Sequence, residues 1–183
     1  YFQVSGTGCK HLFDHISSFS LHFWLAKVLQ ISHLTRIDLA YDCFDGNFDC
    51  DYAITAYHDN AFQGFKGGPL PRMSPCPEYQ GSELVGYIVK VGSRKSNTYW
   101  RIYDKAAEQG LKGQVWYRSE VELKNFNVDA LINPAKSFAG LNRFAASMNL
   151  ENGSQLRVSV KRAALDMAGR IRWAKKQCGR TLS

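Results

Sequence analysis

Residues 35–42 alternate between apolar and polar side chains in the way that a β-strand buried on one side does. Ile37, Leu39 and Tyr41 would lie on one face of this strand. The opposite face would carry Arg36, Asp38, Ala40 and Asp42. The chain is therefore expected to form a sheet with one apolar face, and two carboxylates lie on the other face.

Three further segments have strand character, and they are 84–91, 98–103 and 114–123. Their connections are short, and short connections favour antiparallel neighbours. Helices are predicted at four places: an amphipathic helix of about 18 residues from Leu12 to Leu29, a short helix at 51–59, a helix that starts at Asn133-Pro134 and a basic helix at about 158–178. The sequence thus predicts an α+β fold, with a single antiparallel sheet of about five strands, helices packed on one face and the active site on the other.

One segment is predicted to be irregular. Residues 64–82 contain four of the five prolines and several glycines, which favours a long loop. With 183 residues, the chain is long enough for a single domain over residues 1–183 that buries about 70% of its surface. No apolar stretch approaches the length of a membrane-spanning helix and no secretory leader is recognisable, so we expect a cytoplasmic protein without a membrane partner.

The cysteines and histidines exclude two classes of site. The five cysteines are odd in number and never form a Cys-x-x-Cys pair, and the five histidines form no His-x-His or His-Glu-x-x-His pair. A disulfide framework and a zinc site are therefore not expected.

The positive charge is concentrated in the later part of the chain. Residues 1–60 hold three Lys or Arg and seven Asp or Glu, whereas residues 61–183 hold 20 and nine. Near the C-terminal end only Asp166 accompanies a run of basic residues, which are Arg157, Lys161, Arg162, Arg170, Arg172, Lys175, Lys176 and Arg180. This run predicts a polyanionic partner, and nucleic acid is the expected one. An ordinary solvated helix face is the alternative interpretation.

The polar sides of the later strands add to the two carboxylates of the first. If every apolar side meets the helices, one exposed surface collects Asp38, Asp42, Arg101, Tyr103, Arg118, Glu120 and Glu122. Cross-strand ion pairs on a solvated sheet are the simpler explanation of the same pattern.

These residue types also fit phosphodiester chemistry. Carboxylates without histidine suit a hard divalent cation, Mg²⁺ or Mn²⁺, which keeps coordination positions open for phosphate oxygens. Arginines hold phosphate with paired hydrogen bonds. A tyrosine hydroxyl next to these cations and the metal is expected to have a pKa below its usual value of about 10.

Three motifs occur in an order that resembles a known family. They are Arg36-Ile37-Asp38-Leu39-Ala40-x-Asp42, then Gly92-Ser93-Arg94-x-Ser96 followed by Arg101-Ile102-Tyr103-Asp104-Lys105 with Glu108, and then Trp116-x-Arg118-x-Glu120 ending in Lys124. Together they resemble the core of the replication initiation factor family, which includes rolling-circle initiators of plasmids and replication proteins of filamentous phages. Residues 4–9 and 177–182 resemble the phage members in particular. The histidine-hydrophobe-histidine motif of the wider class of nickases is absent.

The resemblance implies a DNA nicking-joining endonuclease. A tyrosine attacks one phosphodiester of single-stranded or extruded origin DNA, stays joined to the 5′ phosphate and frees a 3′ hydroxyl for replication. The partners that it implies are origin DNA, a host helicase, a polymerase and a second copy of the chain in a homodimer. The expected setting is the cytoplasm of a bacterial host that carries a plasmid or phage.

The resemblance also assigns roles to single residues. Tyr103 is the expected nucleophile, and Tyr99 on the same strand face is its rival. The other assignments are Arg101 and Lys105 as catalytic groups, Asp38, Asp42 and Glu120 as ligands of Mg²⁺ or Mn²⁺, and Ser93, Arg94, Ser96 and Arg118 as DNA-binding residues. Two other functions stay open: a metal-dependent nuclease that activates water, and a non-catalytic module that binds origin DNA.

Overall fold

The computed structural model of the protein describes residues 3–111 and 113–148. Its helices are α1 (Gly6–His15), α2 (Ser18–Phe23), a π-helical turn (Trp24–Val28), α3 (Cys50–His58), α4 (Lys105–Glu108), a 3₁₀ turn (Val128–Leu131), α5 (Pro134–Ala139) and α6 (Arg143–Ala146). Its strands are β1 (His33–Cys43), β2 (Met73–Gln80), β3 (Glu83–Gly92), β4 (Thr98–Asp104) and β5 (Tyr117–Asn127).

The five strands form one open sheet in the order β1-β5-β4-β3-β2, and every neighbouring pair is antiparallel. This confirms the predicted α+β fold with a single antiparallel sheet. The last strand, β5, lies between β1 and β4. The three sequence motifs, which lie on β1, β4 and β5, are therefore next to one another in the sheet.

One face of the sheet is apolar and carries the core. Val89, Trp100 and Val121 are almost completely buried there. The Trp100 ring meets Phe138 of α5 and Phe144 of α6 at centroid distances of 5.4 and 5.8 Å. Because the helices cover this face, the alternate side chains of the same strands lie on the opposite, polar face.

The predicted helix from Leu12 to Leu29 is wrong as one continuous element. It is interrupted after His15, where the Ser17 side chain accepts a hydrogen bond from the Ser20 N–H and starts a new helix. Phe19 and Phe23 are more than half exposed, although the periodicity placed them on the buried stripe. A single helical period therefore does not describe this segment.

The predicted loop at 64–82 contains an unexpected strand. Residues 73–80 form β2, which pairs with β3 and is the edge of the sheet. Pro75 and Pro77 lie within β2, and prolines are tolerated in an edge strand because their missing N–H groups face outward. The prolines that favoured a loop are thus part of the sheet edge.

Two predicted features near the C-terminal end lie outside the residues that the structure describes. The predicted basic helix at about 158–178 lies outside the described residues, as does the C-terminal motif at 177–182. Among residues 3–111 and 113–148, no helix has the length and hydropathy of a membrane span.

Candidate active site

The strand register places the predicted site residues in cross-strand rows on the polar face. Asp42 pairs with Arg118, and Arg118 pairs with Tyr103. Glu120 lies between Ala40 and Arg101 in the next row. A third row joins Asp38, Glu122 and Tyr99.

The rows divide this face into two regions, which we name after their tyrosines. The Tyr103 end comprises Asp42, Arg101, Tyr103, Lys105, Trp116, Arg118 and Glu120. The Tyr99 end comprises Arg36, Asp38, Arg94, Tyr99, Glu122 and Lys124. Since four residues of a strand extend over about 14 Å, the two tyrosines lie well apart along β4.

Tyr103 is the centre of the first region. Its side chain is largely covered, with 8% of the residue exposed, and its hydroxyl donates a hydrogen bond of 3.3 Å to Oε2 of Glu120. The Lys105 ammonium lies 5.5 Å from the ring centroid. Burial raises the pKa of Tyr103 above its usual value, the Glu120 carboxylate adds to the rise, and Arg118 opposes it. The expectation of a lowered pKa is therefore not met in the protein by itself, because burial outweighs the nearby cations.

Arg118 is held rigidly beside Tyr103. Its Nε and Nη2 donate hydrogen bonds of 2.7 and 2.9 Å to the two carboxylate oxygens of Asp42. The Trp116 indole N–H donates a third bond of 2.8 Å to the same carboxylate. Asp42 is fully buried as a side chain, so this pair is shielded from solvent. Asp42 and Trp116 thus fix the position of the Arg118 guanidinium.

Arg101 and Lys105 complete the Tyr103 end. The Nη2 atom of Arg101 donates a bond of 2.6 Å to Oε1 of Glu120. Lys105 forms an ion pair with Glu108 one turn along α4. Asp104 caps α4, since its side chain accepts a bond from the Ala107 N–H. This cap explains why a Tyr-Asp-Lys sequence ends the strand and turns Lys105 back towards the tyrosine ring.

The Tyr99 end is organised differently. The Arg94 guanidinium lies 5.9 Å from the Tyr99 ring centroid. Arg36 binds Asp38 with bonds of 2.7 and 2.6 Å and also lies 3.1 Å from Glu122. No hydrogen bond of the Tyr99 hydroxyl is found within the described part of the chain. The second tyrosine therefore lacks the carboxylate contact that distinguishes the first.

The predicted DNA-binding turn lies next to the Tyr99 end. The Ser96 N–H donates to the Ser93 carbonyl at 2.9 Å, and Lys124 binds the carbonyl of Arg94. Gly92 begins this turn with a φ of +89°, and a Cβ atom there would lie only 2.7 Å from the Thr98 carbonyl oxygen. The turn is thus held against β4 and β5, with its side chains exposed.

A comparison with known protein families assigns the chain to one of them. The sequence matches the family model of the replication initiation factors over residues 32–183. The chain belongs to this family.

The solved structure of the rolling circle replication initiator protein from Geobacillus stearothermophilus is similar to this chain. The TM-score is 0.54 and the sequence identity is 22%, over 70% of this chain and 47% of that chain. The likeness shows a shared fold, and this chain spans about half the length of that protein. Comparison with curated proteins gives no significant match.

The three carboxylates predicted as metal ligands are all on the polar face of the sheet, but each is paired with an arginine. Asp38 is bound by Arg36, while Asp42 and Glu120 are bound by the arginines of their own rows. Within residues 3–111 and 113–148, no three Asp, Glu, His or Cys side chains are grouped as they would be around a metal ion. The oxygen donors suit Mg²⁺ or Mn²⁺ by chemistry, whereas their present arrangement does not form a ready ligand set.

Sequence reasoning missed two residues of this site. Trp116 directly precedes β5 and stands two residues before Arg118, so the alternation of the predicted strand at 114–123 would have placed its indole on the side of the carboxylates. Lys90 is opposite Arg101 on β3. It is the only charged residue in an otherwise apolar run at 84–91, and its position between Val89 and Val91 marks it as facing the polar side.

Proposed function

We propose that this initiation factor nicks and rejoins origin DNA in rolling-circle replication, with Tyr103 as the nucleophile. The observation that carries the proposal is the contact of the Tyr103 hydroxyl with Glu120, between two arginines on one sheet face. Membership of the family supports the same role.

The chemical step follows from this arrangement. The Tyr103 oxygen attacks the phosphorus atom, the bond from phosphorus to the 3′ oxygen breaks, and a 5′-phosphotyrosine forms. Glu120 accepts the phenolic proton, which is needed because burial raises the pKa of Tyr103. The freed 3′ oxygen takes a proton from solvent. The reverse sequence, with a 3′ hydroxyl as the attacking group, rejoins the strand.

The cations of the Tyr103 end stabilise the charge that develops on the phosphate. Arg101 and Arg118 present N–H groups towards the face on which Tyr103 lies, and Lys105 adds a charge beside the ring. Removal of one such donor costs about 10²–10³ in rate in comparable sites. Asp42 and Trp116 act through Arg118 by holding its guanidinium in place.

DNA is proposed to enter along β4. The side chains of Ser93, Arg94 and Ser96 would contact the sugar-phosphate backbone at one end of the strand, while the scissile phosphate lies at the other. Arg118 and Arg101 then hold the linkage that is cut. Single-stranded or extruded DNA fits this path, because the reacting phosphate must approach a tyrosine that is only 8% exposed.

The divalent cation remains part of the proposal. Mg²⁺ or Mn²⁺ would be held by Asp38 and Glu120 beside the small, exposed Ala40, after exchange of the carboxylate contacts with Arg36 and Arg101. A bound cation would supply a further positive charge for the phosphate. Asp42 as a third ligand is still a prediction, and its contacts with Arg118 and Trp116 favour a positioning role instead.

The remaining partners are proposals that follow from the family alone. They are origin DNA of a plasmid or phage, a host helicase, a polymerase and a second copy of the chain, in the cytoplasm of a bacterial host. A water-activating nuclease and a non-catalytic DNA-binding module are the alternatives that an experiment has to exclude.

The test uses the chain with a random single-stranded DNA library that carries a label at the 3′ end, in the presence of Mg²⁺ or Mn²⁺. The proposal predicts a labelled covalent adduct that is lost in Tyr103→Phe and in excess chelator but retained in the matched variant Tyr99→Phe. The adduct sequences then define an oligonucleotide for rate measurements.

Each other outcome contradicts the proposal in its own way. Loss in Tyr99→Phe with retention in Tyr103→Phe would make the rival tyrosine the nucleophile. Cutting without an adduct in both variants would indicate activated water, and binding without cutting would indicate a DNA-binding module. An adduct that persists in excess chelator would contradict only the proposed requirement for Mg²⁺ or Mn²⁺.

A further inference from the structure

Lys90 extends the Tyr103 end of the site by one strand. On β3 it is paired with Arg101 of β4 on one side and with Ser74 of β2 on the other. Tyr103 pairs with Ile88, two residues before Lys90 on the same strand face. Lys90 and Tyr103 are therefore diagonal neighbours, with Cβ atoms separated by about 7–8 Å, a distance that a lysine side chain can span.

The other cations near Tyr103 are each matched by a carboxylate. Arg101 is paired with Glu120, Arg118 with Asp42 and Lys105 with Glu108. These three ion pairs have no net charge. Lys90 adds one positive charge to them, and this charge would balance the single negative charge of a phosphodiester group.

Lys90 itself is half-buried, and within the described residues its ammonium group forms no hydrogen bond and no ion pair. Its cross-strand partner Ser74 and its same-face neighbours Cys76 and Ile88 are uncharged, and the two charged residues at neighbouring register positions, Arg101 and Arg72, are both cations. Removing a charged group from water without a partner is unfavourable. A cation left in this state next to a nucleophile is typical of a site that receives its anion from a substrate.

We propose that the Lys90 ammonium binds a non-bridging oxygen of the scissile phosphodiester while Tyr103 attacks the phosphorus atom. This inference rests on the proposed function, because it needs a DNA phosphate at the Tyr103 hydroxyl. Arg118 is held by Asp42, and Arg101 is paired with Glu120 until that carboxylate is exchanged, whereas Lys90 has no carboxylate partner within the described residues and can follow the phosphate. It therefore adds a mobile positive charge to the charges of the paired cations.

The experiment compares Lys90→Gln and Lys90→Arg with the wild type in single-turnover cleavage of an oligonucleotide that carries the sequence found in the adducts. Lys90→Gln is expected to lower the cleavage rate by about 100-fold, the effect of losing one charge-stabilising donor. Lys90→Arg is expected to restore most of the rate. Lys136→Gln is the matched control, because Lys136 is exposed on α5 behind the opposite sheet face, and it is expected to retain the wild-type rate.

A second substrate separates direct contact from a structural effect. In this oligonucleotide the cleaved linkage is a methylphosphonate, which lacks the charged oxygen, and its two diastereomers are tested separately. If Lys90 binds that oxygen, the ratio of the wild-type cleavage rate to the Lys90→Gln cleavage rate falls towards one for at least one diastereomer. A ratio that stays at about 100 for both diastereomers would assign Lys90 a structural role and overturn the inference.

The two proposals fail in different ways. A wild-type protein that forms no adduct overturns the proposed function and the role of Lys90 with it. A wild-type protein that forms the adduct, together with a Lys90→Gln variant of equal rate and equal thermal stability, overturns the role of Lys90 alone.

Discussion

The two ends of the polar face contain most of the same residue types. Each has a largely buried tyrosine, with 8% of Tyr103 and 7% of Tyr99 exposed, and each has a cation near the ring. They differ at the hydroxyl group. Tyr103 donates to Glu120, while no such bond of Tyr99 is found within the described residues. The contact of the hydroxyl with Glu120, and not the cation at the ring, is therefore what sets Tyr103 apart from Tyr99.

The ends also differ in how their ion pairs meet solvent. The Asp42 side chain is completely covered and Arg118 is 23% exposed, whereas Asp38 and Arg36 are 34% and 52% exposed. Trp116 accounts for part of this cover, since its ring stacks on Phe44 at 5.5 Å and its N–H binds Asp42. The ion pair of the Tyr103 end is therefore held away from solvent, whereas the Arg36–Asp38 pair of the Tyr99 end is largely solvated.

The largest difference between the two ends is expected in the rate of adduct formation when the glutamate of each end is replaced. Glu120→Gln removes the proposed proton acceptor of Tyr103 and should lower the single-turnover rate of adduct formation by about 10³-fold. Glu122→Gln, which changes the corresponding side chain at the Tyr99 end, should stay within about tenfold of the wild type. Equal losses in both variants would remove the distinction between the ends.

The next difference is in folding stability. Asp42→Asn leaves the mostly covered Arg118 without its charged partner and should lower the free energy of unfolding by about 3 kcal/mol. Asp38→Asn breaks a largely exposed pair and should cost about 0–1 kcal/mol. Urea unfolding of both variants measures the contrast. A cost for Asp38→Asn as large as that for Asp42→Asn would contradict the difference in burial.

The smallest expected effect is a pH dependence of the free energy of unfolding that comes from the burial of Tyr103. Because the pKa of Tyr103 is raised by burial, the folded protein disfavours the phenolate, so this stabilisation is present below about pH 10 and is lost as the pH rises further. The free energy of unfolding of the wild type should therefore fall more steeply above about pH 10 than that of Tyr103→Phe. Parallel curves would mean that the hydroxyl is not shielded.

Much of the fold was predictable because alternation is a local property. The segments at 35–42, 84–91 and 98–103 became β1, β3 and β4 with shifts of at most two residues at their ends. The edge strand β2 was missed because prolines favour loops in isolation and are tolerated only where no neighbour needs their N–H groups. That condition is set by the whole sheet.

The candidate site was predictable in its composition and not in its pairings. Alternation placed Tyr103 and Glu120 on one face, since both belong to strands with clear polar sides. The partner of Asp42 depends on the register between β1 and β5, which are far apart in sequence. The pKa of Tyr103 depends on burial in three dimensions, which the sequence does not give, and in the protein by itself burial outweighs the nearby cations that the sequence identified.

The prolines of β2 also limit how the sheet can be extended. A neighbouring chain that adds a strand needs a row of backbone donors, and Pro75 and Pro77 interrupt that row on the outer side of β2. The opposite margin at β1 contains no proline. Among the described residues, β1 is therefore the sheet edge along which a strand of a second copy could pair without interruption, and it lies at the other end of the strand order from β3, which carries Lys90, and its edge neighbour β2.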